Sequence, residues 1–266
     1  MPREVTKKRD LSHLTQEDIE QHASEGFTML YDFYGSTVKR YADNIVVKHS
    51  DKSSKRPESE AAALQFATQL GLPVPQLHEK DGPTLRMDFV EGETLKSAWP
   101  TLSVEEKHNV CGQLREILDT MRKAKWPGTL IGSCGGGPVV DSRMYGIKTG
   151  GPFHSEKDLN EFILDIYEKT PRPMRDAFVK HLRTDHRIVF SHGDLYPGNI
   201  MVKDGSITGL LDWELAGWYP EYWDYVKFCY LGGSDTDWMD YAKEIFPRTY
   251  DEELLFHLAL SRFQIG

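Results

Sequence analysis

The chain has 266 residues, of which 39% are hydrophobic and 27% charged, and its net charge is −9. That balance fits a soluble globular protein of one large or two small domains and speaks against a nucleic-acid binder, which would carry a basic face. It mildly favours cationic or neutral small-molecule partners over anionic ones, and no run of ~18 apolar residues predicts a membrane span. Cys111, Cys134 and Cys229 are too scattered for a disulfide framework or a metal cluster. Met1 to Leu14 lacks an apolar signal region, and Glu4 and Asp10 are unlike a transit peptide, so the expected setting is cytoplasmic.

Thr15 to Ser24 reads as a short helix with Thr15 as its N-cap. Phe27 to His49 is β-rich, with strands Thr37 to Tyr41 and Asn44 to Lys48 joined at Ala42-Asp43. Pro57 to Leu70 carries Ala63, Phe66, Ala67 and Leu70 at helical spacing and stops at Gly71. Strands follow at Gln76 to Glu79 and Pro83 to Val90. Ser103 to Ala124 is the clearest helix, with Val104, Cys111, Leu114, Leu118 and Met121 on one stripe and a Ser103/Glu106 capping box. Gly132 to Pro138 is glycine-rich but lacks Gly-Lys-Ser/Thr, which predicts a flexible surface insertion. Helices are expected from Glu156 to Lys169 and from Arg172 to Leu182. Downstream, Asp235, Asp237 and Asp240 surround Trp238 and Tyr241, either as an acidic aromatic pocket for an amine or as a solvated helix face.

The chemistry concentrates between Phe190 and Glu214, FSHGDLYPGNIMVKDGSITGLLDWE. Asp204-Gly205 is a hairpin turn signal. Pairing Lys203 with Ser206 and counting outward sets Asn199 opposite Leu210, with Asp212 beside Pro197. The hairpin thus converges a carboxylate and an amide oxygen, and Asp194 lies on the loop before it. Magnesium takes oxygen ligands of this kind, usually one or two from the protein together with substrate phosphates. Asp194 precedes Asn199 by five residues, the spacing of a kinase base and metal ligand, and Asp212 follows thirteen later.

HGDLYPGN followed by LLDWELAGWYPEYWD resembles the aminoglycoside phosphotransferase and choline kinase-like family, in details closest to members from filamentous fungi. The resemblance implies a protein-kinase-like α+β fold of two lobes, β-rich over 1–90 and mainly helical over 91–266. It implies ATP as phosphate donor, Mg2+ as cofactor and a hydroxyl of a small molecule as acceptor. Asp194 then takes the place of the base, His192 braces its loop, and Asn199 and Asp212 hold metal. Lys48 matches the nucleotide-phosphate lysine and Glu60 its helical partner, in preference to Glu58. Asp88 to Val90 would hold adenine through the backbone, and the turn at Gly35, Ser36 and Thr37 would cover the phosphates without the usual glycine-rich pattern. Asp224 matches a loop anchor. The alternatives are a nucleotide-binding pseudokinase or scaffold, favoured by the poor glycine loop, and a protein kinase, disfavoured by Gly193 and by the lack of Asp-Phe-Gly and Ala-Pro-Glu.

Overall fold

The computed structural model describes residues 26–33, 36–50, 56–128, 130–141, 148–166, 170–231 and 237–261. The helix expected over Thr15 to Ser24, as well as Gly35 and Asp235, lies outside the described residues. Five antiparallel strands open the chain: β1 (Phe27–Phe33), β2 (Ser36–Tyr41), β3 (Ile45–His49), β4 (Leu77–Asp81) and β5 (Thr84–Asp88). Their order is β1-β2-β3-β5-β4, so β3, which carries Lys48, is central. Asn44 does not extend β3. It turns the chain with φ 61°, a left-handed conformation that asparagine tolerates.

Helix α1 (Arg56–Gln69) packs Ala63, Leu64 and Ala67 into the core, which follows from the spacing of its small and apolar residues. Strand β6 (Glu93–Thr94) and helix α2 (Leu95–Ala98) lead to α3 (Val104–Lys123), the longest helix. The Ser103/Glu106 capping box is formed, and Val110, Cys111, Leu114, Leu118 and Met121 are buried. Val104 departs from the expected stripe: as the first helical residue it lies beyond the core and is 57% exposed.

The Gly132–Pro138 stretch is not a surface insertion throughout. Its base is a strand, β7 (Gly132–Ser133), buried and paired with β13 (Gly217–Pro220), and only the tip around Gly135 and Gly136 is exposed. β8 (Val139–Asp141) and β9 (Lys148–Gly150) form a separate hairpin. Helices α4 (Glu156–Ile166) and α5 (Arg172–His181) precede β10 (Ile188–Ser191), which completes the sheet β10-β13-β7. The hairpin of β11 (Ile200–Lys203) and β12 (Ser206–Leu210) pairs with β6. Helices α6 (Trp223–Leu231), α7 (Ala242–Ile245) and α8 (Asp251–Ser261) close the described chain. Among the described residues, no helix is long and apolar enough to cross a membrane.

Candidate active site

The hairpin turns at Asp204-Gly205, with both residues at positive φ, as the sequence predicts. Its register differs by one. Lys203 faces Ser206 and Val202 faces Ile207, but Met201 faces Gly209, so Thr208 is an extra residue in a bulge. Ile200 therefore opposes Leu210, and Asn199 accepts a hydrogen bond at its carbonyl from Leu211 N at 2.8 Å. The displaced Thr208 donates its hydroxyl to Glu91 O at 2.7 Å, which ties the bulge to the segment joining the sheet to the helical part. Just past β12, Asp212 takes a left-handed conformation, φ 65° and ψ 61°. A non-glycine residue held there costs about 1 kcal/mol or more and is a feature concentrated at functional sites.

That backbone turn aims the Asp212 carboxylate at β3. Lys48 Nζ lies 2.8 Å from Asp212 Oδ1, and 2.8 and 2.7 Å from the two oxygens of Glu60. Two carboxylates far apart in sequence, Glu60 and Asp212, thus meet on one ammonium. Glu214 adds a fourth group, 3.9 Å from Lys48 and 3.0 Å from Arg56 Nη1. Burial would lower the Lys48 pKa, but Asp212, Glu60 and Glu214 outweigh it and raise it, so the ammonium stays charged. Burial, helped by Asp212 and Glu214, raises the Glu60 pKa further than Lys48 pulls it back, while the ammonium against both of its oxygens favours the carboxylate form.

On the other side of the hairpin, Asn199 Nδ2 donates to Asp194 Oδ2 at 2.8 Å and to Asp194 O at 2.9 Å. Both partners are oxygens, so the amide nitrogen must face Asp194 and the Asn199 Oδ1 is directed elsewhere. His192 is fully buried. Its Nδ1 accepts from Asp194 N at 3.2 Å, and Nε2 donates to Leu211 O at 3.1 Å. Burial lowers its pKa, consistent with a neutral ring bridging loop and hairpin. Asp224, its own pKa raised by burial, accepts from Gly193 N at 2.8 Å and His192 N at 3.3 Å. Gly193 is required on two counts: its φ is 77°, and a Cβ would lie 2.7 Å from Leu215 O.

The remaining expected residues are more loosely placed. Asp88 sends its carboxylate to His78 at 2.6 Å, and its N–H is taken by Gln76 O. Val90 packs on Gly209, where a Cβ would come within 2.7 Å of Val90 Cγ1. Ser36 opens β2 opposite Phe33. Asp237 is engaged by Lys107 at 2.9 Å and by Trp99 Nε1 at 2.6 Å, and Trp238 is buried against Trp99 and Phe228. Asp237 and Trp238 are thus tied to the fold through Lys107, Trp99 and Phe228, with the Asp237 side chain still 44% exposed. Arg56 and Glu214 were missed as partners: Arg56 belongs to no motif or periodic face, and only the packing of α1 on the Trp213–Leu215 turn brings it in.

The sequence pattern described as the phosphotransferase enzyme family matches residues 33–254. The chain belongs to that family. Over 75 residues, 28% of this phosphotransferase-family chain, it is 41% identical to an aminoglycoside 3'-phosphotransferase of Enterococcus faecalis and 39% identical to one of Staphylococcus aureus. Each match spans 28% of the relative's own length. Among solved structures, the streptomycin–ATP ternary complex of APH(2'')-IIa superposes with a TM-score of 0.65, covering 95% of this chain and 91% of that one at 14% identity. A type VIII aminoglycoside 3'-phosphotransferase gives 0.62 at 16% identity, covering 93% and 98%. These likenesses establish the protein-kinase-like fold, with its β-rich and mainly helical parts.

Lys48 Nζ already sits between Glu60 and Asp212, so the donors that would meet a hard divalent cation are Asp212 and the Asn199 Oδ1, both oxygens. Carboxylate oxygens of Glu60, Asp212 and Glu214 lie within 4.8 Å of one another, and the set contains no sulfur or imidazole that would select a softer metal.

Proposed function

We propose that this chain moves the γ-phosphate of ATP to a hydroxyl of a small, amine-bearing molecule, with magnesium as cofactor. The observation that supports it most directly is Lys48 Nζ bridging Glu60 and Asp212. An ammonium held by two carboxylates, with Asp194 and Asn199 paired on the adjoining hairpin, suits the positioning of anionic phosphates. In this reading the nucleotide lies between a lobe ending near residue 90 and the lobe after it. With the N–H groups of Asp88 and Phe89 engaged by Gln76 and Asn44, the carbonyls of Asp88 to Val90 and the N–H of Val90 hold the adenine, and Ser36, the first residue of β2, meets the phosphates.

The Asp194 carboxylate accepts the proton of the acceptor hydroxyl as that oxygen bonds to the γ-phosphorus. The bond from this phosphorus to the β–γ bridging oxygen breaks, and ADP leaves with the electron pair. Asn199 fixes the Asp194 carboxylate, and His192 braces the loop by bonding Asp194 N and Leu211 O. Lys48, aimed by Glu60, contacts the α- and β-phosphates. Asn199 and Asp212 would hold the magnesium, which when bound neutralises phosphate oxygens. The aminoglycoside acceptors named for the related structures, together with the net charge of −9, favour a cationic acceptor in the cytosol.

Incubating the chain with Mg-ATP and panels of aminoglycosides, amino alcohols and sugars, read by mass spectrometry for a gain of phosphate, tests the reading. A phosphorylated product is expected, and Asp194→Ala should lower kcat ~10²–10⁴-fold while still binding ATP. Unchanged kcat in that variant would remove Asp194 from the reaction.

A further inference from the structure

Arg56 belongs to none of the recognised motif positions, yet it is the second cation of the cleft. It opens α1, and Glu60 stands four residues on, so both side chains share one helix face. Glu60 grips Lys48, while Arg56 Nη1 meets Glu214 Oε1 at 3.0 Å. The other oxygen of Glu214 lies 3.9 Å from Lys48 Nζ, so a single carboxylate separates the two cations. The Arg56 side chain keeps 29% of its surface exposed, against 15% for Lys48.

A triphosphate is strongly anionic, and this cleft meets it with carboxylates of Glu60, Asp194, Asp212 and Glu214. Lys48 is already shared between two of them. We propose that Arg56 is a second phosphate-binding cation, stored on Glu214 until phosphate oxygens replace that carboxylate. The inference rests on the ATP-dependent reading above and deepens it. A guanidinium suits the exchange, because its planar fork matches two oxygens of a phosphate as well as those of a carboxylate. Swapping one anion for another leaves no cation bare during the exchange. The position at the first turn of α1 adds the favourable end of a helix dipole to the same anion.

Titration calorimetry of the full chain with ATP, in EDTA and with magnesium, tests this alongside adenosine, which carries no phosphate. Arg56→Ala should weaken ATP about tenfold to a hundredfold, the range of a charge-assisted hydrogen bond, and leave adenosine unchanged. Arg56→Lys should recover part of the loss. Glu214→Gln removes that carboxylate from the guanidinium and should tighten ATP in EDTA, a gain that shrinks once Arg56 is also alanine, since contacting residues are non-additive. The inference is overturned if Arg56→Ala binds ATP like the parent, if adenosine weakens equally, or if the Glu214→Gln gain survives intact in the double variant. A parent chain that binds adenosine but no ATP would overturn the proposed function as well, which separates the two failures.

Discussion

Two charged clusters in this chain hold the same formal charge and do different things. In the cleft, Lys48 and Arg56 face Glu60, Asp212 and Glu214, a net of −1. At the other end of β10, a protonated His186 lies between Glu156 and Glu253, also −1. The second cluster is closed. His186 Nδ1 is 2.7 Å from Glu156 and Nε2 is 3.1 Å from Glu253, and the His186 N–H donates to the remaining Glu156 oxygen at 2.9 Å. Its side chains are 1%, 3% and 12% exposed for His186, Glu156 and Glu253, whereas in the cleft Glu60 is 3% exposed but Lys48, Asp212 and Glu214 are 15–17% and Arg56 29%. A hollow of about 400 Å³ borders His186, Phe178, Tyr222 and Phe256, yet the ring it touches has both nitrogens satisfied. The lesson is that neither charge count nor cavity size marks the site. What differs is that the cleft cations share their carboxylates, with Glu214 reaching both Lys48 and Arg56, whereas His186 is saturated at both nitrogens.

The largest effect should come from breaking the cleft cluster. Lys48→Ala is expected to lower kcat/KM for ATP about 10²–10³-fold, the loss seen when one preorganised electrostatic contact is removed. Glu60→Ala should cost nearly as much, and the double variant little more than either, because each residue holds the other. The measurement is a double-mutant cycle in kcat/KM at saturating acceptor. Additive losses would mean that the 2.7 Å contact carries no coupling.

The distal cluster should answer in stability and hardly in rate. His186→Ala leaves two carboxylates facing each other in the interior and should destabilise the fold by about 3–5 kcal/mol, as broken buried pairs do. The surviving folded protein should keep kcat within about twofold, since Glu156 and Glu253 touch no group of the cleft. The pH dependence has a definite sign. Burial pulls the His186 pKa down, but its hydrogen bonds to Glu156 and Glu253, with their negative charge, prevail and carry it up to about 9. A histidine raised above its ordinary value of about 6.5 contributes stability that is complete below that value and is lost as pH rises through about 9. Denaturant midpoints from pH 6 to 10 should fall over that window in the parent and stay flatter in His186→Ala. A parallel fall in both would assign the loss to other groups.

The two clusters were unequally legible in the sequence. His192, Asp194, Asn199 and Asp212 sit on one local hairpin, where spacing alone brings them close. Lys48 and Glu60 could be matched because a strand end and a helix start are pattern features. The register was off by one, since a bulge at Thr208 answers to a long-range hydrogen bond to Glu91 that no local pattern encodes. The distal triad left no trace: Glu156, His186 and Glu253 are joined only by the packing of α4 and α8 around the start of β10. The buried base of the Gly132 stretch was hidden likewise, because glycines that read as a loose loop also permit a close strand against β13.

The smallest effect falls on the same helix as one of the largest. Glu58 and Glu60 are two residues apart on α1, and each meets a lysine: Glu58 lies 3.0 Å from Lys80, and Glu60 lies 2.7 Å from Lys48. What differs is the solvent. The Glu58 side chain is 59% exposed and Lys80 30%, while Glu60 is 3% exposed. An exposed pair gains little over hydration and contributes up to about 1 kcal/mol. Two positions along a helix also turn the side chain by roughly 200°, so Glu58 points away from the cleft. Glu58→Ala should therefore leave kcat/KM for ATP within about twofold of the parent and shift the denaturation midpoint only slightly. Measured beside Glu60→Ala under the same conditions, it isolates burial from charge. A loss in Glu58→Ala comparable to that in Glu60→Ala would show that the negative face of α1 as a whole, and not one buried carboxylate, holds Lys48 in place.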